Sequence, residues 1–395
     1  MRDLVADEPA HAPRVAAPDV VTIVAGLVVG GFLTWNVSNV GAVADPLAEA
    51  YGTSLATVGL LTTALFVTHL AAQLPAGVWS DRFGPHRVAL GACAAAASGN
   101  ALLLVDASVG LAVVGRLVVG AGAGAAFVTG LDLVRAGRGG PVVQGLYGGA
   151  TMAGGGLALV IVPPLTDATG WRATYATGLV LAVAAVIPLL AVRGLRSVGR
   201  GSRGVLRDAD LLPLGVLQAA TFGLAVIAGN WVVPLLERGG AGSAVAGALG
   251  GLVLLAGIVT RPLGGAVVHR WPARRTLVVG LSLVAVGCGA FVLAVRGPLW
   301  VSAVGALALG LAAGLPFAVI FESVQRLRPD APAAAVALVN GCAVLAVLVG
   351  TPLAGLAFDL PGDGAAAFVA VGVLALAALP FVTRLPGPAT ARSRS

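Results

Sequence analysis

The chain has 395 residues, of which 58% are hydrophobic and only 10% are charged. A soluble globular domain uses roughly 25% charged residues to cover its surface, so this composition excludes an ordinary water-soluble protein and indicates one embedded in lipid. All 24 basic residues are arginine and 17 residues are acidic, which gives a formal charge of +7. An excess of this kind also suits a nucleic-acid-binding protein, and the positions of the arginines decide between the two interpretations.

Twelve apolar runs are long enough to cross a bilayer, which takes about 20 residues of helix. The predicted helices, numbered 1 to 12, cover residues 20–42, 55–79, 87–105, 109–134, 142–165, 172–192, 212–236, 244–268, 276–295, 298–322, 332–357 and 364–383. The most polar internal segment lies between helices 6 and 7. The sequence therefore predicts an all-α membrane protein with twelve transmembrane helices in two six-helix bundles, residues 20–192 and 212–383, joined by a linker at 193–211.

The tails at residues 1–19 and 384–395 are polar, and the first lacks the basic start and short apolar core of a cleaved signal peptide. We therefore expect helix 1 to be retained. The tails, the linker and the loops after helices 2, 4, 8 and 10 contain 19 of the 24 arginines, whereas the opposite loops contain three. Because cytoplasmic loops carry an excess of basic residues, we expect both termini and the linker on the cytoplasmic side of the inner membrane. The charge is then a topology signal, and no nucleic-acid partner is expected.

Two loops correspond to each other at a period of 188 residues. The loop after helix 2 follows the order Gly-x-x-x-Asp-Arg-x-Gly-x-x-Arg, with Gly77, Asp81, Arg82, Gly84 and Arg87. The loop after helix 8 has Gly265, Arg270 and Arg275 at the corresponding positions, but His269 replaces the acid and Pro272 replaces the second glycine. Matching loops in two six-helix halves are typical of a duplicated transporter fold.

The first of these loops resembles the signature that the major facilitator superfamily carries between helices 2 and 3. Helix 4 adds Arg116-x-x-x-Gly120-x-Gly122-x-Gly124, which is similar to a second signature of the same superfamily. The resemblance covers the whole chain and implies the major facilitator fold and transport by alternating access. It also makes Arg116 a candidate for proton coupling, with a purely structural role as the alternative.

Charged residues at the predicted cytoplasmic ends of the helices form a candidate gate. Helix 4 ends with Asp132 and Arg135, and helix 10 ends with Glu322 and Arg326. Ion pairs among these four residues, Asp81, Arg82 and Arg87 could close the inner mouth when the outside is open. The alternative is that the arginines only hold the loops on one side of the membrane.

Ionisable groups within membrane helices are rare, and each is a candidate functional residue. Arg261 lies about two turns from the cytoplasmic end of helix 8, and no acidic residue occurs mid-span to pair with it. A guanidinium offers a planar fork of donors that suits an anion, so we interpret Arg261 as a binding group for an anionic substrate. The alternative is an arginine that snorkels to the inner surface or pairs with Glu322.

The 188-residue period places Gln73 opposite Arg261, with His69 one turn further out on the same face. Asn36 and Asn39 add amides from helix 1. We predict that these four residues orient the substrate, and His69 could also carry a coupling proton. For each of them the alternative is a contact between packed helices.

Within the superfamily, the chain resembles the nitrate/nitrite porter and cyanate-transporter branch through Arg261-Pro-Leu-Gly-Gly, Leu315-Pro-Phe-Ala and Val339-Asn-Gly. The resemblance implies a small anionic substrate (nitrate, nitrite, cyanate or a monocarboxylate) and a proton or counter-ion as partner. Those porters pair an arginine on helix 2 with one on helix 8, and Gln73 occupies the helix 2 position in this chain. A proton-coupled exporter of drugs or neutral metabolites is the other hypothesis. We expect no cofactor, no metal, no enzymatic activity and a monomer surrounded by lipid.

Overall fold

The structure is a computed structural model that describes residues 18–193, 195, 204–268, 270–295 and 297–385. Within these ranges it contains helices and no strand. The membrane-crossing helices are α1 (Val20–Ser38), α2 (Leu55–Phe83), α3 (Pro85–Leu103), α4 (Val109–Ala136), α5 (Pro141–Thr169), α6 (Ala173–Ala191), α7 (Ala209–Arg238), α8 (Ser243–Val267), α9 (Ala273–Ala294), α10 (Leu299–Leu327), α11 (Pro332–Leu356) and α12 (Ala365–Thr383).

Eleven of these helices are long and apolar enough to cross a membrane. The twelfth is α3, whose 19 residues begin with Pro85, His86 and Arg87 and are otherwise mainly alanine and other small residues. The polar start of α3 lowers its mean hydropathy, and the small side chains of the remainder allow close packing. The all-α fold of twelve helices in two six-helix halves, α1–α6 and α7–α12, is confirmed.

The loop predicted after helix 2 is largely helical, because α2 continues to Phe83. Asp81 and Arg82 therefore belong to its last turn. Gly84 ends the helix with φ +87°, a conformation that favours glycine, and Pro85 starts α3 at the first helical position, where its missing N–H costs nothing. The spacing of this motif thus produces a tight turn between two membrane helices.

Alternating glycines in α4 hold the first half together. A Cβ on Gly122 would lie 2.7 Å from the carbonyl oxygen of Ala92 in α3, and Cβ atoms on Gly120 and Gly124 would collide with carbonyl oxygens of α2. Glycine at such positions lets helix backbones approach closely. The second superfamily-like motif in the sequence is therefore a packing surface shared by α2 and α3.

Close packing at glycines also joins the two halves. A Cβ on Gly77 of α2 would lie 2.7 Å from the carbonyl oxygen of Ala333 in α11, and one on Gly265 of α8 would lie 2.6 Å from Cα of Val142 in α5. The contacts α2–α11 and α5–α8 are related by the 188-residue repeat. Both lie at the end of the molecule that carries the arginine-rich loops. We call this end the basic end and the other one the opposite end.

At the basic end, Arg328 connects the linker to the loop between α10 and α11. Its guanidinium pairs with Asp208 at 3.1 Å and with Asp330 at 2.8 Å. The hydrogen bonds from Arg328 hold the pKa of the Asp330 carboxyl below its usual value. Residues 194 and 196–203 of the predicted linker, His269 and most of both tails lie outside the described residues.

The substitution Gly124→Val tests the packing of α2 on α4. We expect it to lower the melting temperature of the detergent-purified protein, because overpacking typically costs about 1–3 kcal/mol. The matched control is Gly59→Val, since a Cβ on Gly59 of α2 meets nothing within 4 Å. Equal melting temperatures for the two variants would contradict this account of the packing.

Candidate substrate cavity and gate

A cavity of about 530 Å³ lies between the two halves, with walls from α1, α2, α4, α5, α7, α8 and α11. Its lining near the opposite end includes Thr62, Thr63, Asn230 and Thr351. Arg261 lies deeper, nearer the basic end. The cavity therefore extends from the middle of the protein toward the opposite end.

The lining combines hydroxyl groups, aromatic rings and a single charge. The hydroxyl side chains are Thr34, Ser38, Thr62, Thr63, Thr151 and Thr351, and the aromatic ones are Phe66, Phe127 and Phe222. Asn230 adds an amide. Among the described lining residues, Arg261 is the only ionisable group, so the cavity carries one positive charge.

Arg261 is 2% exposed. Its Nη1 donates to the Gly148 carbonyl oxygen at 2.8 Å and to Thr151 Oγ1 at 3.2 Å, whereas Nε has no hydrogen-bond partner among the described residues. The guanidinium carbon lies 4.9 Å from the ring centre of Phe222 and 4.4 Å from that of Phe317. Aromatic faces attract a cation, but they supply no acceptor for the remaining N–H groups.

Local backbone features position this group. A π-helical turn at Ala219–Gly223 interrupts α7 and contains Phe222; such turns are frequent at functional sites. On the other side, a Cβ on Gly148 would lie 2.7 Å from Cδ of Arg261, and one on Gly145 would collide with its carbonyl oxygen. The glycines of α5 therefore make the space that the arginine occupies.

The structure does not bring Gln73 to Arg261. The Gln73 side-chain oxygen accepts a hydrogen bond at 2.9 Å from Asn340 Nδ2 of α11, so the repeat places Gln73 in the α2–α11 contact and Arg261 in the α5–α8 contact. His69 is buried nearer the opposite end than Gln73. Its Nδ1 has no hydrogen-bond partner in the part of the chain that the structure describes, and its ring packs edge-on against Phe66. Neither Gln73 nor His69 is among the lining residues.

Asn36 and Asn39 point into the first half instead of the cavity. Asn39 Oδ1 accepts from Arg116 Nη1 at 3.2 Å, and the Asn36 backbone oxygen accepts from Arg116 Nη2 at 2.9 Å. The Asn36 side-chain oxygen accepts from Asn100 at 3.0 Å. Arg116, which is fully buried, also donates to the backbone of α2 at Leu61. These groups brace α1, α2, α3 and α4 against one another.

The basic end is closed by hydrogen bonds between the halves. The Asp81 carboxylate accepts from the backbone N–H groups of Ala333 at 3.1 Å and Ala334 at 2.9 Å, at the start of α11. A carboxylate at a helix N-terminus is stabilised by the helix dipole. Gln144 of α5 donates to Gln325 of α10 at 3.2 Å. Asp81 therefore joins the two halves at the basic end, through backbone N–H groups and not through the predicted arginine.

The predicted ion-pair residues lie within single helices. Asp132 pairs with Arg135 at 2.6 Å inside α4, and Glu322 pairs with Arg326 inside α10. Ser80 of α2 adds a 2.6 Å hydrogen bond to Asp132. These contacts stabilise each half by itself.

The arginines of the two repeated loops lie at the surface of the basic end. Arg82 rests on the ring of Phe83 at 5.1 Å, and Arg275 rests on Trp271 at 4.6 Å. Arg87 and Arg270 are exposed. The gate contacts of Gln144 and Gln325 and the aromatic pair around Arg261 were missed by the sequence analysis. Glutamine within an otherwise apolar helix was the available signal for the first two.

Twelve helices in two six-helix halves with a cavity between them are typical of secondary transporters. The family model described as the Major Facilitator Superfamily matches residues 24–217 and again residues 214–395. The chain belongs to this superfamily of membrane transporters.

Solved structures agree with this assignment. The protein is similar to the proton:xylose symporter XylE bound to 6-bromo-6-deoxy-D-glucose, with a TM-score of 0.76, 12% sequence identity and coverage of 93% of this chain and 96% of that one. It is also similar to the E. coli fucose:proton symporter FucP, with a TM-score of 0.70, 13% identity and coverage of 93% and 99%. No curated protein matches the chain in sequence. None of these comparisons supports the nitrate/nitrite or cyanate branch expected from the sequence.

Asp81→Asn tests the gate. The change removes the charge at the start of α11, which is worth about 0.3–1 kcal/mol at a helix N-terminus, and one of the two acceptors. We expect the basic end to open more often. Spin-label distances between Gly140→Cys and Ala273→Cys, in a background without native cysteines, should gain a longer component.

The control for this experiment is Asp106→Asn. Asp106 is exposed at the opposite end, and among the described residues its carboxylate accepts a hydrogen bond only from the neighbouring Ala107 N–H. Its distance distribution should match that of the parent. An unchanged distribution in Asp81→Asn as well would show that this carboxylate does not hold the gate.

Proposed function

We propose that the protein is a secondary active transporter for a small organic monoanion of the monocarboxylate type. The observation that carries this proposal is Arg261: a buried cation that lines the cavity, keeps an unpartnered Nε, and has no acidic residue beside it in the described lining. A buried charge without a counter-charge is costly. A bound anion would supply the missing partner.

The size of the cavity favours an anion with an apolar body over nitrate. Small-molecule sites typically enclose about 300–1,000 Å³, and about 530 Å³ far exceeds what a four-atom ion fills. A carboxylate can take two parallel hydrogen bonds from one edge of a guanidinium. The body of the molecule would then contact Phe66 and Phe222, and the hydroxyl side chains would orient any further polar group.

Arg261 would also link binding to the gate. Its Nη1 holds α5 through Gly148 and Thr151, so an anion bound at the other edge of this guanidinium acts on a group that joins the two halves. Opening of the basic end would break those bonds together with the Asp81–α11, Gln144–Gln325 and Gln73–Asn340 contacts. The halves would then rock about the cavity and expose it to the other side.

The arginine excess at the basic end predicts the orientation of the protein in the membrane. With the basic end on the cytoplasmic side of the inner membrane, the described state has its cavity directed outward and its inner gate closed. A proton or counter-ion gradient would drive transport, and His69, buried between cavity residue Phe66 and gate residue Gln73, is the residue that we propose for a coupling proton. We propose that the unit is a monomer.

A neutral sugar is the second candidate. Six hydroxyl side chains and the Asn230 amide line the cavity, and such groups can hydrogen-bond the hydroxyls of a sugar. XylE and FucP, the solved structures to which the fold is similar, are proton symporters of xylose and fucose by their descriptions. In this candidate, Arg261 would be a link between α8 and α5 only.

Arg261→Gln separates these candidates. Thermal unfolding of the purified protein would be followed with a panel of short monocarboxylates, nitrate, cyanate, hexoses and lipophilic drugs. A ligand at 100 times its Kd stabilises the folded state by about 2.7 kcal/mol. We expect a monocarboxylate to raise the melting temperature of the wild type and to bind at least ~10-fold more weakly to Arg261→Gln, which corresponds to about 1.4 kcal/mol.

The control variant is Arg384→Gln, which removes an exposed arginine at the basic end and should respond to ligands as the wild type does. Stabilisation by a hexose in both the wild type and Arg261→Gln would replace the anion by the sugar candidate. Stabilisation only by bulky apolar compounds would indicate an exporter.

A further inference from the structure

A second concavity of about 750 Å³ lies on the outside of the first half, between α2, α3 and α4. It shares no lining residue with the cavity between the halves. Its floor consists of alanine and glycine, including Gly91, Ala95 and Ala121, and Trp79, Phe83 and Arg87 stand at one end. We call it the α2–α3 groove.

The packing of the helices explains the groove. Gly122 brings α4 onto α3, while Gly120 and Gly124 bring it onto α2. At the basic end α2 is also held against α11 through Gly77. Small side chains of α3 and α4 are therefore left uncovered beside α2, on a surface that faces the membrane.

The length of the groove and its position along the helices match one leaflet of the bilayer. Along α2 the lining runs from Ala71 to Phe83, which at 1.5 Å per residue is about 18 Å. The hydrocarbon core of a bilayer is about 30 Å thick, so the groove spans roughly one leaflet, from the middle of the membrane to the interface at the basic end. A lipid acyl chain has this reach and this position.

The mouth of the groove is complementary to an anionic headgroup. Arg87 is exposed and forms no hydrogen bond or ion pair with the described residues, and no acidic residue is among the described lining residues. The first turn of α3, which begins at Pro85 and has no side-chain cap, lies at the same level, and a helix N-terminus attracts phosphate. Trp79, 54% exposed, supplies the aromatic side chain that is enriched at membrane interfaces.

We propose that the α2–α3 groove is a binding site for an anionic phospholipid of the leaflet at the basic end. One acyl chain lies along the alanine and glycine floor. The phosphate lies against Arg87 and the first turn of α3. The site is separate from the substrate cavity, so it stands or falls independently of the transported substrate.

Gly91→Phe tests the apolar part of the site. A Cβ on Gly91 meets nothing within 4 Å, so the added ring fills the groove without displacing the protein. Gly289→Phe is the matched control, because Gly289 is an exposed glycine of α9 that also has open space around it. Arg87→Gln tests the charge at the mouth.

The measurement is the thermal unfolding of each delipidated, detergent-purified variant with added phosphatidylglycerol, phosphatidylcholine or glycerol phosphate, with bound lipid counted by native mass spectrometry. Phosphatidylglycerol should stabilise the wild type and Gly289→Phe more than phosphatidylcholine does. Gly91→Phe should bind phosphatidylglycerol at least ~10-fold more weakly. Arg87→Gln should no longer distinguish the two lipids.

Three results would overturn the proposal. The first is equal phosphatidylglycerol binding by Gly91→Phe and the wild type. The second is equal stabilisation by glycerol phosphate, which would place an anion at the mouth without a lipid chain. The third is a wild-type dimer that Gly91→Phe converts to monomer, which would make a second copy of the chain the occupant of the groove.

Discussion

The guanidinium of Arg261 lies inside a membrane protein without a carboxylate beside it in the described lining. Other features of the centre follow from accommodating this charge. Phe222 and Phe317 offer their faces, and the glycines of α5 admit the side chain and leave the Gly148 carbonyl within reach. These neighbours accept hydrogen bonds from only part of the guanidinium. Each buried N–H group that is left without an acceptor costs free energy. A ligand that brings its own negative charge is the natural complement, and the same ligand would act on the contact between α8 and α5.

At the basic end, too, a charged side chain has no side-chain partner of opposite charge among the described residues of the other half, and the backbone at the start of a helix takes that place. Asp81 bonds to two backbone N–H groups of α11, so the closed state depends on the position of a whole helix. Gly77 lets α2 approach α11 closely enough for these bonds, and Gly265 gives α8 the same proximity to α5. Close packing in the centre also leaves small residues uncovered outside, and the α2–α3 groove is the result on the first half.

The fold could be predicted almost completely from the sequence, because helix length, hydropathy and the 188-residue repeat are all directly visible in the order of residues. The individual contacts could not. Gln73 and Arg261 occupy equivalent positions, yet each bonds to a helix of the other half, since the repeat relates interfaces and does not place equivalent residues in contact. Asn36 and Asn39 share a helix with cavity residues, but Arg116 draws them to the other face. Which way a polar side chain turns depends on partners that are distant in the sequence.

The most direct test of the central claim is counterflow of a radiolabelled monocarboxylate in proteoliposomes, with the wild type beside Arg261→Lys. Lysine keeps the charge but loses the planar fork of donors. The account predicts saturable exchange by the wild type and a KM at least ~10-fold higher in the variant, with insertion and melting temperature maintained. Exchange at the same KM in both proteins, or exchange of a hexose and of no carboxylate, would contradict the assignment of Arg261 as the anion-binding group.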